Sequence, residues 1–241
     1  MNLIIDIGNT RSKIAVFDNK TLLHKITTDN DNIDKTVKKF KKKYALNHSI
    51  ISSVSNYDTS EIKKLNTYSK VIELDHQTRV PLLNKYNTPE TLGVDRIALA
   101  CAAVDQYPKR NVLIIDAGTC ITFDFVNTKN EYLGGAISPG IKIRYKSLHK
   151  FTANLPLLDL NRFNLIGNDT ESSIHSGVLN GIVNEIDGVI NQYITKFQTL
   201  TVVLTGGDIN FLSKNLKSTI FANPNFLLEG LNSILIHNLD E

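Results

Sequence analysis

The sequence predicts an α/β protein built from two similar halves. Three observations carry this. The segment LIIDIGNT (Leu3 to Thr10) returns as LIIDAGTC (Leu113 to Cys120): an apolar run, then Asp, any residue, Gly, a Thr close behind and a second apolar stretch. Apolar β-branched runs are followed by segments of helical periodicity, the pattern of α/β chains. Between the two copies, QYPKRN (Gln106 to Asn111) is polar and carries a proline, which marks a boundary. The expected domains are residues 1–109 and 110–241.

The elements follow in order. Leu3 to Asp6 is a strand bounded by the turn IGNT, and KIAVF (Lys13 to Phe17) is the returning strand. Asp18-Asn19-Lys20 is a turn signal before a third strand, Leu22 to Thr27. TVKKFKKKY (Thr36 to Tyr44) holds five lysines in nine residues, with Ile33, Val37, Phe40 and Tyr44 at helical spacing. It reads as an amphipathic helix with a solvated lysine face, or as a nucleic-acid patch. No aromatic or Gly-rich binding motif accompanies it, so the solvated face is preferred. SIISSV (Ser49 to Val54) is a buried strand, Thr59 to Leu65 a short helix after Asp58, and VIEL (Val71 to Leu74) another strand.

The second half restarts the scheme. Asn111 to Asp116 is a strand, Ala117 to Thr119 the turn, Ile121 to Val126 the return, and Glu131 to Ala136 continues the meander. Ile174, Val178, Ile182 and Ile186 set a long helix from about Ile174 to Phe197. Leu200 to Leu204 is a strand running into TGGD, and Asn225 to Leu239 is a closing helix.

Composition bounds the function. Hydrophobic residues make 41% and charged residues 21% of the 241, ordinary for a globular protein. No apolar run approaches the roughly 18 residues of a membrane span. Asp6 interrupts the first apolar run and no basic leader precedes it, so a cytoplasmic location and no membrane partner are expected. A net charge of +3 does not call for a nucleic-acid partner. Cys101 and Cys120 sit among small or apolar neighbours and read as two buried reduced thiols. The histidines show no metal-ligand spacing.

A strand ending in Asp-x-Gly-x-Thr has a specific use. Glycine lets the backbone come close to a ligand. Backbone N–H groups and Asn or Thr side chains then face a phosphate, while the Asp holds a cation or its water. Two such turns can grip the phosphates of one nucleotide. In LTGGD (Leu204 to Asp208), Gly206-Gly207 leave no side chain to block a flat ring or ribose.

DIGNT, DAGT and LTGGD, in that order, resemble the phosphate-1, phosphate-2 and adenosine motifs of the acetate/sugar kinase, Hsc70 and actin superfamily. YNTPETLGVDR (Tyr86 to Arg96) and GGAISPG (Gly134 to Gly140) are similar to the signatures of type III pantothenate kinases. The resemblance implies two ribonuclease H-like domains with duplicated actin-like ATPase architecture. It implies ATP-dependent phosphorylation of pantothenate, the first step of coenzyme A synthesis. It places Asp6, Gly8, Asn9, Thr10, Lys13, Gly118, Thr119, Gly206 and Gly207 at ATP. Tyr86, Asn87, Gly93, Arg96, Gly134 and Gly135 fall at pantothenate, with Gly140 in the same glycine-rich loop. Asp95 becomes the base that accepts the alcohol proton, and Arg96 a fork for an anionic or carbonyl oxygen. Mg²⁺ with ATP and a monovalent cation, K⁺ or NH₄⁺, are implied, with Asp116 the natural carboxylate for the latter. GNDTESSIHSG (Gly167 to Gly177) resembles the segment whose threonine reaches the neighbouring subunit's substrate, which makes Thr170 that residue and implies a homodimer. The rival readings are a non-enzymatic nucleotide-binding regulator on the same fold and a kinase for another small alcohol.

Overall fold

The computed structural model describes residues 1–9, 11–53 and 70–239. Thr10 and the helix expected at Thr59 to Leu65 lie outside them. In chain order the strands are β1 (Asn2–Ile7), β2 (Ser12–Asp18), β3 (Thr21–Thr28), β4 (His48–Ser53), β5 (Lys70–Glu73), β6 (Leu83–Asn84), β7 (Asn111–Ala117), β8 (Cys120–Val126), β9 (Glu131–Pro139), β10 (Leu200–Thr205) and β11 (Phe221–Ala222). The helices are α1 (Ile33–Lys43), α2 (Val94–Gln106), α3 (Ile141–Phe151), α4 (Thr170–Lys196), α5 (Ile209–Asn215) and α6 (Phe226–His237).

The chain divides into two units. One is Met1–Pro108 with Asn130–Tyr132 and Asn225–Glu241, the other Lys109–Lys129 with Leu133–Pro224. The first carries a sheet of order β3-β2-β1-β4-β5. β1 and β2 are antiparallel, as are β2 and β3, while β4 runs parallel to β1 and β5. Successive side chains on a strand point to opposite faces. Leu3, Ile5 and Ile7 therefore share a face with Ile14, Val16 and Ile51, buried with Ile33, Val37 and Phe40 of the lysine-rich α1.

Asn2, Ile4 and Asp6 share the other face. There the Asn2 side chain donates to Asn232 Oδ1 on α6 (2.9 Å). The apolar, alanine-rich α2 packs against α6, and the two helices approach closely at Gly230. A Cβ there would lie 1.9 Å from the Ala98 carbonyl oxygen. The closing helix, read from sequence only as the end of the second half, thus belongs to the first unit.

The second unit repeats the plan. Its strands lie in the order β11-β10-β7-β8-β9, so both sheets read 3-2-1-4-5 when each is counted from its own first strand. β7 and β8 are antiparallel and β10 is parallel to β7. β9 begins with Glu131 and Tyr132 of the first unit, where it pairs in parallel with β6. Ile174, Val178, Leu179, Ile182, Ile186 and Ile190 of α4 cover the sheet beside Ile141 and Tyr145 of α3.

One expectation is corrected. Cys101 is buried in α2, where burial pushes its thiol up, but Cys120 is exposed. It opens β8 at the turn, just outside the last ladder pair, Ala117 with Ile121.

Candidate active site

In the first unit the turn after β1 closes through Gly8, whose N–H donates to the Arg11 carbonyl (3.2 Å). That N–H serves the turn, so donors to a phosphate come from the residues after it. Asn30 braces the turn: its amide donates to the Gly8 carbonyl (3.1 Å), and its Oδ1 accepts from Ser12 Oγ (2.7 Å). Asn9 is exposed at the tip.

Asp6 lies one residue before the end of β1 with its carboxylate buried. Lys13 stands directly across on β2, its Nζ 4.0 Å from Oδ2. Ser52 stands directly across on β4, its hydroxyl donating to Oδ1 at 2.9 Å. Burial holds the Asp6 carboxyl above the ordinary carboxylate range. Lys13 and then Ser52 pull it back down, and Asp95 pushes it up again. Asp95 is thus within electrostatic reach of Asp6.

Asp95 owes its place to Gly93, the residue just before α2. A Cβ on Gly93 would sit 2.4 Å from Asp95 Oδ1, so glycine leaves the carboxylate room to fold back. That oxygen accepts the Arg96 N–H (2.8 Å). Arg96 is buried with its guanidinium over the Tyr86 ring, 5.8 Å from the centroid, and Tyr86 in turn lies 6.1 Å from the Tyr132 ring. The segment is aligned from before by Asn84, whose Oδ1 accepts the Tyr86 N–H (2.9 Å). Asn87 follows on exposed chain.

The second unit builds the matching turn. Gly118 N–H donates to the Cys120 carbonyl (2.9 Å), and Thr119 is exposed. Two segments meet this turn. Gly140 N–H donates to the Thr119 carbonyl (3.1 Å), and a Cβ on Gly140 would lie 2.1 Å from the Gly118 carbonyl oxygen. Gly206, with φ +99°, lies against the strand end: a Cβ would come within 2.2 Å of the Ala117 carbonyl oxygen and 2.5 Å of Asp116 Oδ1. Only glycine adopts that backbone without strain. Asp208 N–H then donates to the Ala117 carbonyl (3.0 Å), and its carboxyl is raised by burial and lowered by Lys142. Gly207 is exposed with open space around its Cα. On β9, Gly134 has φ +93°, and a Cβ on Gly135 would overlap the Phe123 carbonyl.

Thr170 lies apart from that cluster as the exposed first residue of α4. Asp169 caps the helix, accepting the Ser172 N–H (2.8 Å) while its own N–H donates to Ser172 Oγ (3.1 Å). Thr170 lines an open depression of about 920 Å³ with Arg144, Leu148, Leu155, Asn168 and Val178. Beside it Leu165 and Ile166 are each 80% exposed.

So the fold gathers Asp6, Lys13 and Asp95 in one unit, with Tyr86 and Arg96 together there, and Asp116, Gly118, Thr119, Gly140 and Gly206 in the other. Ser52, Asn30 and Lys142 escaped the sequence reading. Ser52 and Asn30 are ordinary polar residues that only strand register and turn closure connect to the motifs.

Residues 2–192 match the type III pantothenate kinase family. A type III pantothenate kinase of Christiangramia forsetii is 52% identical over 240 residues, covering 99% of each chain. Among solved structures, a putative Baf family transcriptional activator from Campylobacter jejuni superposes with a TM-score of 0.68 at 22% identity, over 99% of this chain and 100% of that one. A putative N-acetylmannosamine kinase from Listeria monocytogenes gives 0.59 at 13% identity, over 99% of both. At such identities the two structures speak for the fold alone, the duplicated sugar-kinase and actin-like plan.

Proposed function

The chain belongs to the type III pantothenate kinase family, and on that premise we propose how its residues divide the work. It transfers the γ-phosphoryl group of ATP to pantothenate, giving 4′-phosphopantothenate at the entry to coenzyme A synthesis. The relatives give no support to a non-enzymatic regulator.

Phosphoryl transfer rests on positioning and charge stabilisation. Asn9, Thr10 and Lys13 hold phosphate oxygens in the first unit, where Gly8 closes the turn and the Asp6 carboxylate holds a cation or its water. Thr119 does so in the second, where Gly118 closes the turn and Gly206 and Gly207 leave room for the adenosine. Tyr86, Asn87, Gly93, Arg96, Gly134 and Gly135 take pantothenate, with the planar Arg96 fork reading an oxygen pair. Asp95 accepts the alcohol proton as the oxygen attacks. The observation that carries this is the Asp95 carboxylate, held at the start of α2 within electrostatic reach of Asp6 on the phosphate turn.

A divalent ion accompanies ATP and neutralises charge developing on the phosphates. A monovalent cation is assigned to Asp116. The Asp116 carboxylate and the Ala117 carbonyl, both against Gly206, are the oxygen donors such an ion takes. Thr170 is assigned to the substrate of a second copy. The exposed Leu165 and Ile166 beside it are the apolar surface a homodimer would cover.

The test is an ADP-release assay with and without pantothenate. ADP should form only when pantothenate and ATP are both present, and phosphopantothenate should appear in equal amount. ADP release indifferent to pantothenate would overturn the assignment of acceptor.

A further inference from the structure

We propose that Ser52 is a positioning residue for the reaction, fixing the Asp6 carboxylate so that Lys13 is left for the nucleotide phosphates. The inference rests on the kinase reading above and concerns a residue outside the recognised motifs. Its basis is geometric. Asp6 has one partner on each neighbouring strand, and each addresses a different oxygen. Ser52 Oγ donates to Oδ1 at 2.9 Å, and Lys13 Nζ stands 4.0 Å from Oδ2, beyond hydrogen-bond distance. Ser52 is 0% and Asp6 7% exposed, so no solvent stands in for the hydroxyl.

The chain builds the same relation twice. In the second unit the parallel neighbour places the buried Thr205 beside Asp116, as β4 places Ser52 beside Asp6. The antiparallel neighbour offers Thr122 where the first unit has Lys13. The hydroxyl on the parallel side is the repeated feature, and on the antiparallel side a lysine in the first unit is matched by a threonine in the second.

The chemistry follows from the torsion. The terminal torsion of Asp is broad and is set by its hydrogen bonds. Without Ser52, Oδ1 loses its donor and the carboxylate turns to engage Lys13 with both oxygens. The ammonium is then drawn into an internal ion pair and away from phosphate.

The experiment compares Ser52→Ala with Ser52→Thr, which keeps a donor, and with Ser49→Ala, a buried hydroxyl on the opposite face of β4. Readouts are Tm, kcat, KM for each substrate, and calorimetric Mg·ATP binding without pantothenate. Ser52→Ala should lose roughly 10- to 100-fold in kcat/KM for ATP, the worth of a hydrogen bond to a charged group, with KM for pantothenate unmoved. Ser52→Thr should stay close to wild type, and Ser49→Ala should move only Tm. Wild-type kcat/KM for ATP in Ser52→Ala, whatever its Tm, overturns the proposal. So do equal losses in the Ala and Thr variants, which would make the effect one of packing. Should Ser52→Ala not fold, the near-isosteric Ser52→Cys carries the same comparison with a weaker donor. Failure of the kinase reading shows separately, as wild-type protein that binds Mg·ATP without pantothenate-dependent turnover.

Discussion

Lys13 faces Asp6 directly across the β1–β2 ladder, with Nζ 4.0 Å from Oδ2. The equivalent position across from Asp116 is Thr122. The two turns are therefore related in backbone and differ in the residue set across from the carboxylate, a lysine at the first and a threonine at the second. That asymmetry suits a lysine working on phosphate at the first turn and a bound ion at the second.

Lys13→Met tests the first turn. A charge-assisted contact to phosphate is worth about 1.5–3 kcal/mol, so KM for ATP should rise roughly tenfold or more. The variant should also shift a pH limb. Burial raises the Asp6 carboxyl and Lys13 lowers it. The folded state therefore holds the Asp6 proton over a window above the ordinary carboxylate range, and stability falls as pH rises through that window. Removing Lys13 extends the window upward. The acid limb of kcat/KM for ATP should move to higher pH, and an unmoved limb would break the link between the two residues.

Potassium dependence tests the second turn. In sodium-only buffer the enzyme should be slow, and added potassium or ammonium should restore it. Asp116→Asn should be slow in all three. Equal wild-type rates in sodium and potassium would remove the cation from Asp116.

The legible part of this molecule was its strands. Apolar β-branched runs bounded by Asp, Asn and Gly located β1, β2, β7, β8 and β10 closely, and the duplicated turn announced the duplicated sheet. Helix α2 was not legible, because Arg96 to Val104 are all buried. A helix covered all round has no amphipathic stripe for periodicity to find. In α3 only Ile141 and Tyr145 are buried, too few to set a pattern. The partner of α6 was hidden for another reason: periodicity reports a buried face and is silent on what covers it. Ser52 has no sequence mark at all, since its meaning lies in register with Asp6.

Gly230 is where that α2–α6 contact is most exposed to change. Gly230→Ala would put a Cβ 1.9 Å from the Ala98 carbonyl oxygen, so the helices must part. Overpacking of this kind costs about 1–3 kcal/mol, which for a chain of this size lowers Tm by about 2–12 °C. A Tm equal to wild type by calorimetry would mean the helices separate freely.

Assembly is tested at the apolar surface beside Thr170. Light scattering should give a dimer mass for the wild type. Leu165→Glu combined with Ile166→Glu, at positions each 80% exposed, should give a folded monomer that has lost most of its activity. A monomer with full activity would refute the assignment of Thr170 to a second copy's substrate.

Asp95→Asn is the sharpest test of the chemistry. Asn keeps the size, and its Oδ1 can still accept the Arg96 N–H that Asp95 accepts at 2.8 Å, so the start of α2 and ATP binding should persist. It cannot take up a proton. General-base assistance is worth about 10²–10⁴ in rate, and kcat should fall by that order with a modest change in KM. A loose transition state, in which the proton leaves late, works against so large an effect. Asp95 would then serve mainly to orient the alcohol, and Asn would keep much of the activity. A variant retaining more than about a tenth of wild-type kcat therefore rules out the base. Arg96→Lys is the control. It keeps the charge but loses the planar fork lying over Tyr86, so it should act on KM for pantothenate and leave kcat nearly alone.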